Sequence, residues 1–224
     1  MMKVISDSNL SKRNYTEEMK QDQKSILCSD DNASIKKQSV EKIDESIKRQ
    51  LDKGIMFFLK YYPVRIKNVR EQQKADRQTV WNFKDGKEFE QVARMTAGYM
   101  SVRFGKRTNE IVFSCVPASS ADKNELRYKN FSEKVCELTG AINGYNHVKV
   151  SGKRDSIHKR YVRDNVNNVQ TIDFDEHFFK GKRIVIFDDV ITRGVSYGNY
   201  ANRLEQFGAD VLGGIFLAKT AYKV

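Results

Sequence analysis

Asp188 and Asp189 stand side by side at the end of the apolar run in RIVIFDDVITRGVS. Thr192, Arg193, Gly194, Val195 and Ser196 follow at once. Carboxylates accept hydrogen bonds from sugar hydroxyls. A turn of Gly and small hydroxylic residues that leads into a helix offers unpaired N–H groups and partial positive charge to an anion. Gly194 lets the backbone come close to a ligand or take a positive φ, and Thr192 and Ser196 add hydroxyl donors. The combination suits a phosphate monoester with hydroxyls beside it, as in a 5-phosphorylated ribose. Successive strand residues point to opposite faces, so the two acids cannot do the same job. One faces a pocket; the other faces a neighbouring loop or is reached by a flexible ligand. No Gly-Lys-Ser/Thr follows, which excludes a phosphate loop for nucleoside triphosphates.

Such residues need a strand before them and a helix after them. RIVIF reads as a buried strand, and 195–207 as a helix with Tyr197, Tyr200, Leu204 and Phe207 inward and Gly208 as its stop. DVLGGIFLA is a final strand. Upstream, EIVFSCVP is a strand, and 121–139 a helix with Tyr128, Phe131, Val135 and Leu138 inward, stopped by Gly140. YNHVKV and VQTIDF are further strands. Residues 1–38 are polar and read as a flexible arm. A helical period then runs through Ile43, Ile47, Leu51, Ile55, Phe58 and Leu59, ended by Pro63. Residues 64–84 are charged and irregular, with Trp81 and Phe83 as anchors. Asp85 and Glu88 have capping-box spacing for a helix running to Arg103 or Gly105. Tyr61, Tyr62, Trp81 and Phe83 read as core in preference to a stacking platform for a nucleobase. The expected architecture is α/β: an open, mainly parallel sheet flanked by helices, with an N-terminal helical extension. The expected division is an arm (1–38), a helical extension or hood (39–108) and an α/β core (109–224).

IVIFDDVITRGVS resembles the phosphoribosyl-pyrophosphate (PRPP) signature of type I phosphoribosyltransferases. Four apolar residues, two acids, two apolar residues, Thr, a variable residue, Gly, any residue and Ser fall in the family's order. Arg193 stands where many members carry a small hydroxylic residue. The pattern from about Glu110 to Thr220 is similar to the ComF-type, competence-associated branch, although the cysteine-rich zinc ribbon of many ComF proteins is absent and the N-terminal half has no counterpart. The resemblance implies that Asp188 and Asp189 contact the ribose hydroxyls. It implies that residues 192–196 wrap the 5-phosphate, and that Mg²⁺ is held chiefly by the pyrophosphate and ribose oxygens. It places Ala118, Ser119 and Ser120, in the turn VPASS, near the pyrophosphate; Ser119 or Ser120 also reads as a cap of the 121–139 helix. It makes the basic segment with Lys153, Arg154, His158, Lys159, Arg160 and Arg163 a mobile cover over the pyrophosphate. A solvated basic loop or a nucleic-acid contact is the alternative there.

The chain of 224 residues carries 40 Lys and Arg against 29 Asp and Glu, a net charge of +11. Residues 1–50 hold 10 basic and 9 acidic groups, so +10 of the excess lies beyond them. Such a balance draws polyanions, either phosphorylated metabolites or DNA and RNA. Cys28, Cys115 and Cys136 are odd in number and far apart, which argues against a disulfide framework or a four-ligand zinc site. No apolar run approaches the roughly 20 residues of a membrane span, and the start lacks a signal core. The expectation is a cytoplasmic protein with no membrane partner. Two functions stay open. One is a phosphoribosyltransferase that joins a nitrogen acceptor to PRPP and releases pyrophosphate. The other is a non-catalytic PRPP-pocket module, associated with nucleic acid in DNA uptake or defence, as a homo-oligomer or in a protein complex.

Overall fold

Arg183–Ile191 is the strand from which the architecture is built (β6 below). Its residues Ile184 to Phe187 are at most 2 % exposed. A strand with both faces apolar must be covered on both sides. A computed structural model describes residues 43–152 and 170–223. In chain order the elements are α1 (Glu45–Asp52), β1 (Ile55–Tyr61), α2 (Glu71–Lys84), α3 (Phe89–Phe104), β2 (Ile111–Cys115), α4 (Ala121–Thr139), β3 (Ile142–Asn143), β4 (Val148–Ser151), β5 (Thr171–Phe174), α5 (Glu176–Phe179), β6 (Arg183–Ile191), α6 (Val195–Gln206) and β7 (Asp210–Thr220).

Five strands form one sheet in the order β1-β7-β6-β2-β3, every neighbouring pair parallel. Helices α2, α3 and α4 cover one face through Val80, Phe83, Val92, Met100, Tyr128 and Phe131. On the other face α6 packs Tyr197, Tyr200, Ala201 and Leu204 against Ile184, Ile186 and Phe216. The expected α/β sheet flanked by helices is therefore present. The first face is dominated by rings. Phe131 lies 4.5 Å from Phe187 and 5.0 Å from Phe83, and Phe113 and Tyr128 complete the group. Each such pair adds about 0.5–1.5 kcal/mol beyond the area it buries. The cluster fixes α2 and α4 against β6 just below Asp188. Among the described residues, no helix is long and apolar enough to cross a membrane.

Several local expectations change. The continuous helix from residue 40 to Pro63 is instead α1 followed by β1, broken at Gly54, whose φ of +99° an L side chain rarely adopts. Apolar residues in IMFFLKY fit either period, and pairing with β7 decides for strand. The stretch expected to be wholly helical thus supplies the edge strand of the sheet. Residues 71–84 are helical where irregular chain was expected. Only Val80 and Phe83 are buried in α2, so no apolar stripe announces it. The Asp85–Glu88 capping box does not form. Glu88 is left-handed with no side-chain cap, and its carboxylate accepts from Asn82 at 2.7 Å instead. Leu138 is 43 % exposed, not inward. YNHVKV splits into a 3-10 turn and β4, which pairs antiparallel with β5 away from the main sheet. The arm 1–38 lies outside the described residues.

Helix α1 lies on α6. Asp44 caps it by accepting from the Ser46 amide at 2.7 Å, and Arg49 and Lys53 pair with Glu205. A Cβ on Gly198 would come 2.7 Å from Ile47 Cδ1 and 3.1 Å from Ile47 Cα. Gly to Ala inside a helix ordinarily stabilises by about 1 kcal/mol, whereas forced overpacking costs about 1–3 kcal/mol. Gly198→Ala is therefore expected to lower stability by about 1 kcal/mol net in urea unfolding. A gain in stability would contradict the close α1–α6 contact.

Candidate ligand site at the carboxyl edge of the sheet

β2 stops before β6 does. Its last register pair is Cys115 with Phe187, and the Val116 amide donates to the Phe187 carbonyl at 2.8 Å. β6 continues beside β7 as far as Ile191 opposite Lys219. Asp188 and Asp189 thus lie within the strand, beyond the end of β2. The chain also reverses direction here. β2 leads through α4 to the outer strand β3, and β6 leads through α6 to β7 on the other side. In open parallel sheets, ligands bind in the crevice at such a switch point, outside the carboxyl ends of the strands.

A cavity of about 370 Å³ occupies this edge, lined by Asp188, residues 190–197 and Phe216. That volume is within the range of small-ligand sites. The structure therefore brings Asp188, Thr192, Arg193, Gly194, Val195 and Ser196 to one concavity. Gly194 caps α6 in the left-handed region at φ +74°, and its missing side chain admits Leu51, whose Cδ2 would lie 2.7 Å from a Cβ there. Helix α1 thus braces the loop from behind. The first amides of α6, Val195 and Ser196 among them, have no partner within the helix and sit at its positive end. The Thr192 hydroxyl is 2.7 Å from that of Thr220, at the end of β7. Sequence reading missed Thr220, because nothing in its own neighbourhood marks it.

The two acids have different surroundings. Asp188 Oδ1 accepts from the Asp189 amide at 2.8 Å and from the Tyr128 hydroxyl at 3.4 Å. Asp189 is 6 % exposed and meets Arg127 Nη1 and Lys84 Nζ. Burial, and then the charge of Asp189, pushes the Asp188 carboxyl well above the usual carboxylate range, against the pull of the Asp189 amide, Lys84 and Arg127. Burial and the same two carboxylates push the Tyr128 phenol up. Burial opposes the Arg127 charge, but Tyr128 and Asp189 outweigh it and raise its pKa. Arg127, Lys84 and Tyr128 had no local signal of a polar role. Their partners are distant in sequence, and Tyr128 was legible only as core.

The VPASS turn, with Ala118, Ser119 and Ser120, does not line this cavity and is tied down. The Ala118 amide donates to Asn124 Oδ1 at 3.0 Å, and its carbonyl accepts from Gln170 Nε2 at 2.6 Å. Ser120 caps α4 by accepting from the Lys123 amide, and Ser119 is half-buried. Lys153, Arg154, His158, Lys159, Arg160 and Arg163 lie outside the described residues. The flanking strands β4 and β5 are paired, with Ser151 opposite Thr171. Phe83 and Tyr62 are core, while Trp81 and Tyr61 are half-buried with Trp81 Nε1 3.4 Å from the Tyr61 hydroxyl. Burial pushes the Cys115 thiol up, as suits a packing residue. Among the described residues, no group of three or more His, Cys, Asp or Glu is arranged to hold a metal ion.

No protein-family model matches the chain. No curated protein matches it either. Among solved structures, phosphoribosylpyrophosphate synthetase from Mycobacterium smegmatis aligns with a TM-score of 0.35 at 17 % identity, over 57 % of this chain. The aligned part spans 33 % of that protein's chain.

The Asp188 environment has a consequence for stability. A carboxyl whose folded-state pKa lies above its unfolded value carries no penalty below about pH 4 and destabilises the fold as pH rises through the folded value. Asp188→Asn removes the ionisable group. Its melting temperature is therefore expected to exceed wild type at about pH 8 and to approach wild type at about pH 4. A variant less stable than wild type at the higher pH would contradict the assigned environment.

Proposed function

We propose that the chain binds PRPP with Mg²⁺ at this edge and transfers its phosphoribosyl group to a nitrogen acceptor. The observation that carries the reading is the convergence of Asp188 and the loop 192–196 on one cavity at the switch point of a parallel sheet. In this reading the 5-phosphate sits against the amides of residues 193–196 at the start of α6. There the helix end favours negative charge. Asp188 accepts from a ribose hydroxyl, which favours its ionised form over the protonated one. Magnesium supplies charge neutralisation for the departing pyrophosphate. It would be held chiefly by the ligand's own phosphate and ribose oxygens.

In the transfer the bond from C1 of the ribose to the pyrophosphate oxygen breaks, its electron pair leaving with pyrophosphate. The acceptor nitrogen forms the new bond to C1 and gives up a proton to solvent. Positive charge develops on the sugar ring, so fixed dipoles and charges around it matter more than a nucleophilic side chain. The turn 118–120 flanks the leaving group in this reading. The second reading is a non-catalytic PRPP-binding module that docks on DNA or RNA. The excess of positive charge beyond residue 50 favours it.

Calorimetry with PRPP and Mg²⁺, with ribose 5-phosphate and with pyrophosphate tests the first step. PRPP is expected to bind, and ribose 5-phosphate to compete for the same site. Absence of heat and of any thermal shift with PRPP would remove the reading. Pyrophosphate release with a panel of heterocyclic bases separates the enzyme from the module. Release supports transfer; PRPP binding without release, together with DNA affinity falling steeply with salt, supports the module.

A further inference from the structure

Both carboxylate oxygens of Asp189 already face cations. Arg127 Nη1 meets Oδ2, and Lys84 Nζ lies 3.3 Å from Oδ1. Arg127 is tied in turn, because its Nε donates to the Lys84 carbonyl at 3.4 Å, at the end of α2. The contact is withdrawn from solvent: the Arg127 and Asp189 side chains are 14 % and 9 % exposed. A sugar hydroxyl approaching Asp189 would meet a carboxylate whose two oxygens are each held by a cation against α2 and α4, and Asp189 does not line the cavity. Asp188 differs. Among the described residues its hydrogen-bond partners are two neutral donors on one oxygen, and it lines the cavity.

We propose that Arg127 and Lys84 are positioning residues that hold Asp189 against α2 and α4, so that Asp188 is the carboxylate of the pair presented to a ribose hydroxyl. The inference rests on the ribose-phosphate reading for its ligand, but the clamp itself is a property of the free protein. It splits the two-acid signature into one binding group and one anchor. It also joins the end of α2 to the strand that bears the site. Among the described residues, the charged or titratable groups around Asp188 are Asp189 on its own strand, Lys84 of α2, Arg127 and Tyr128 of α4, and Cys115 of β2. Arg193 lines the same cavity.

Two measurements on the full chain test this, with circular dichroism confirming that each variant folds. In calorimetry with PRPP and Mg²⁺, Asp188→Asn is expected to weaken binding at least about tenfold, the value of a hydrogen bond to a charged group. Asp189→Asn and the milder Lys84→Met are expected to lose several-fold less affinity and to show their main effect as a lower melting temperature. Equal affinity losses for Asp188→Asn and Asp189→Asn in folded protein would overturn the division. In carboxyl-carbon NMR without ligand, Arg127→Met is expected to move the Asp188 titration midpoint upward, since a neighbouring cation is lost, and Arg127→Lys to restore it. A midpoint that stays put would overturn the clamp. If wild type binds no PRPP, the ribose reading falls, and the NMR midpoints alone decide the clamp.

Discussion

Two adjacent carboxylates that follow four buried apolar residues, Ile184 to Phe187, within one strand are the constraint on which the rest of the site depends. Buried charge must be paired or neutralised, and the fold meets that demand differently for each acid. Asp189 turns to the face covered by α2 and α4, where Lys84 and Arg127 meet it. Among the described residues, Asp188 receives hydrogen bonds only from neutral donors, and it opens to the cavity. The termination of β2 at Cys115 makes this arrangement tolerable, because it removes a neighbouring strand where the acids begin.

The loop after the acids is held from two directions. Leu51 of α1 fills the space that Gly194 leaves, and Ile47 sits equally close to Gly198 one turn on. Thr220 at the end of β7 meets Thr192 from the other side. The helix near the start of the described chain therefore braces the wall of the cavity, and the final strand sets one of its hydroxyls. A site on a rigid strand end and a braced helix start holds its amides in place before a ligand arrives, which is how such sites gain electrostatic strength.

The central part of this arrangement was legible in the sequence because it is local. RIVIF followed by two acids and ITRGVS announces a buried strand, a turn and a helix start within one short window, and the structure places them so. EIVFSCVP, the 121–139 helix and DVLGGIFLA were equally readable from period and glycine stops. The failures were of two kinds. β1 and α2 were misread because the apolar spacing of IMFFLKY suits helix or strand, and because α2 buries too few residues to show a stripe. Tertiary pairing with β7 and the aromatic cluster around Phe83 decide them. Arg127, Lys84 and Thr220 were missed for another reason. Each acts on a residue far away along the chain, and an isolated Arg, Lys or Thr carries no pattern that identifies its partner.

The central claim is that the cavity beside Asp188 grips the phosphate and sugar of an activated pentose. A crystal structure of the protein soaked with PRPP and Mg²⁺ tests it most directly. The account requires the 5-phosphate against the amides of residues 193–196, with a ribose hydroxyl within hydrogen-bond distance of Asp188. Density for PRPP at another place on the molecule, with this cavity empty, would contradict it.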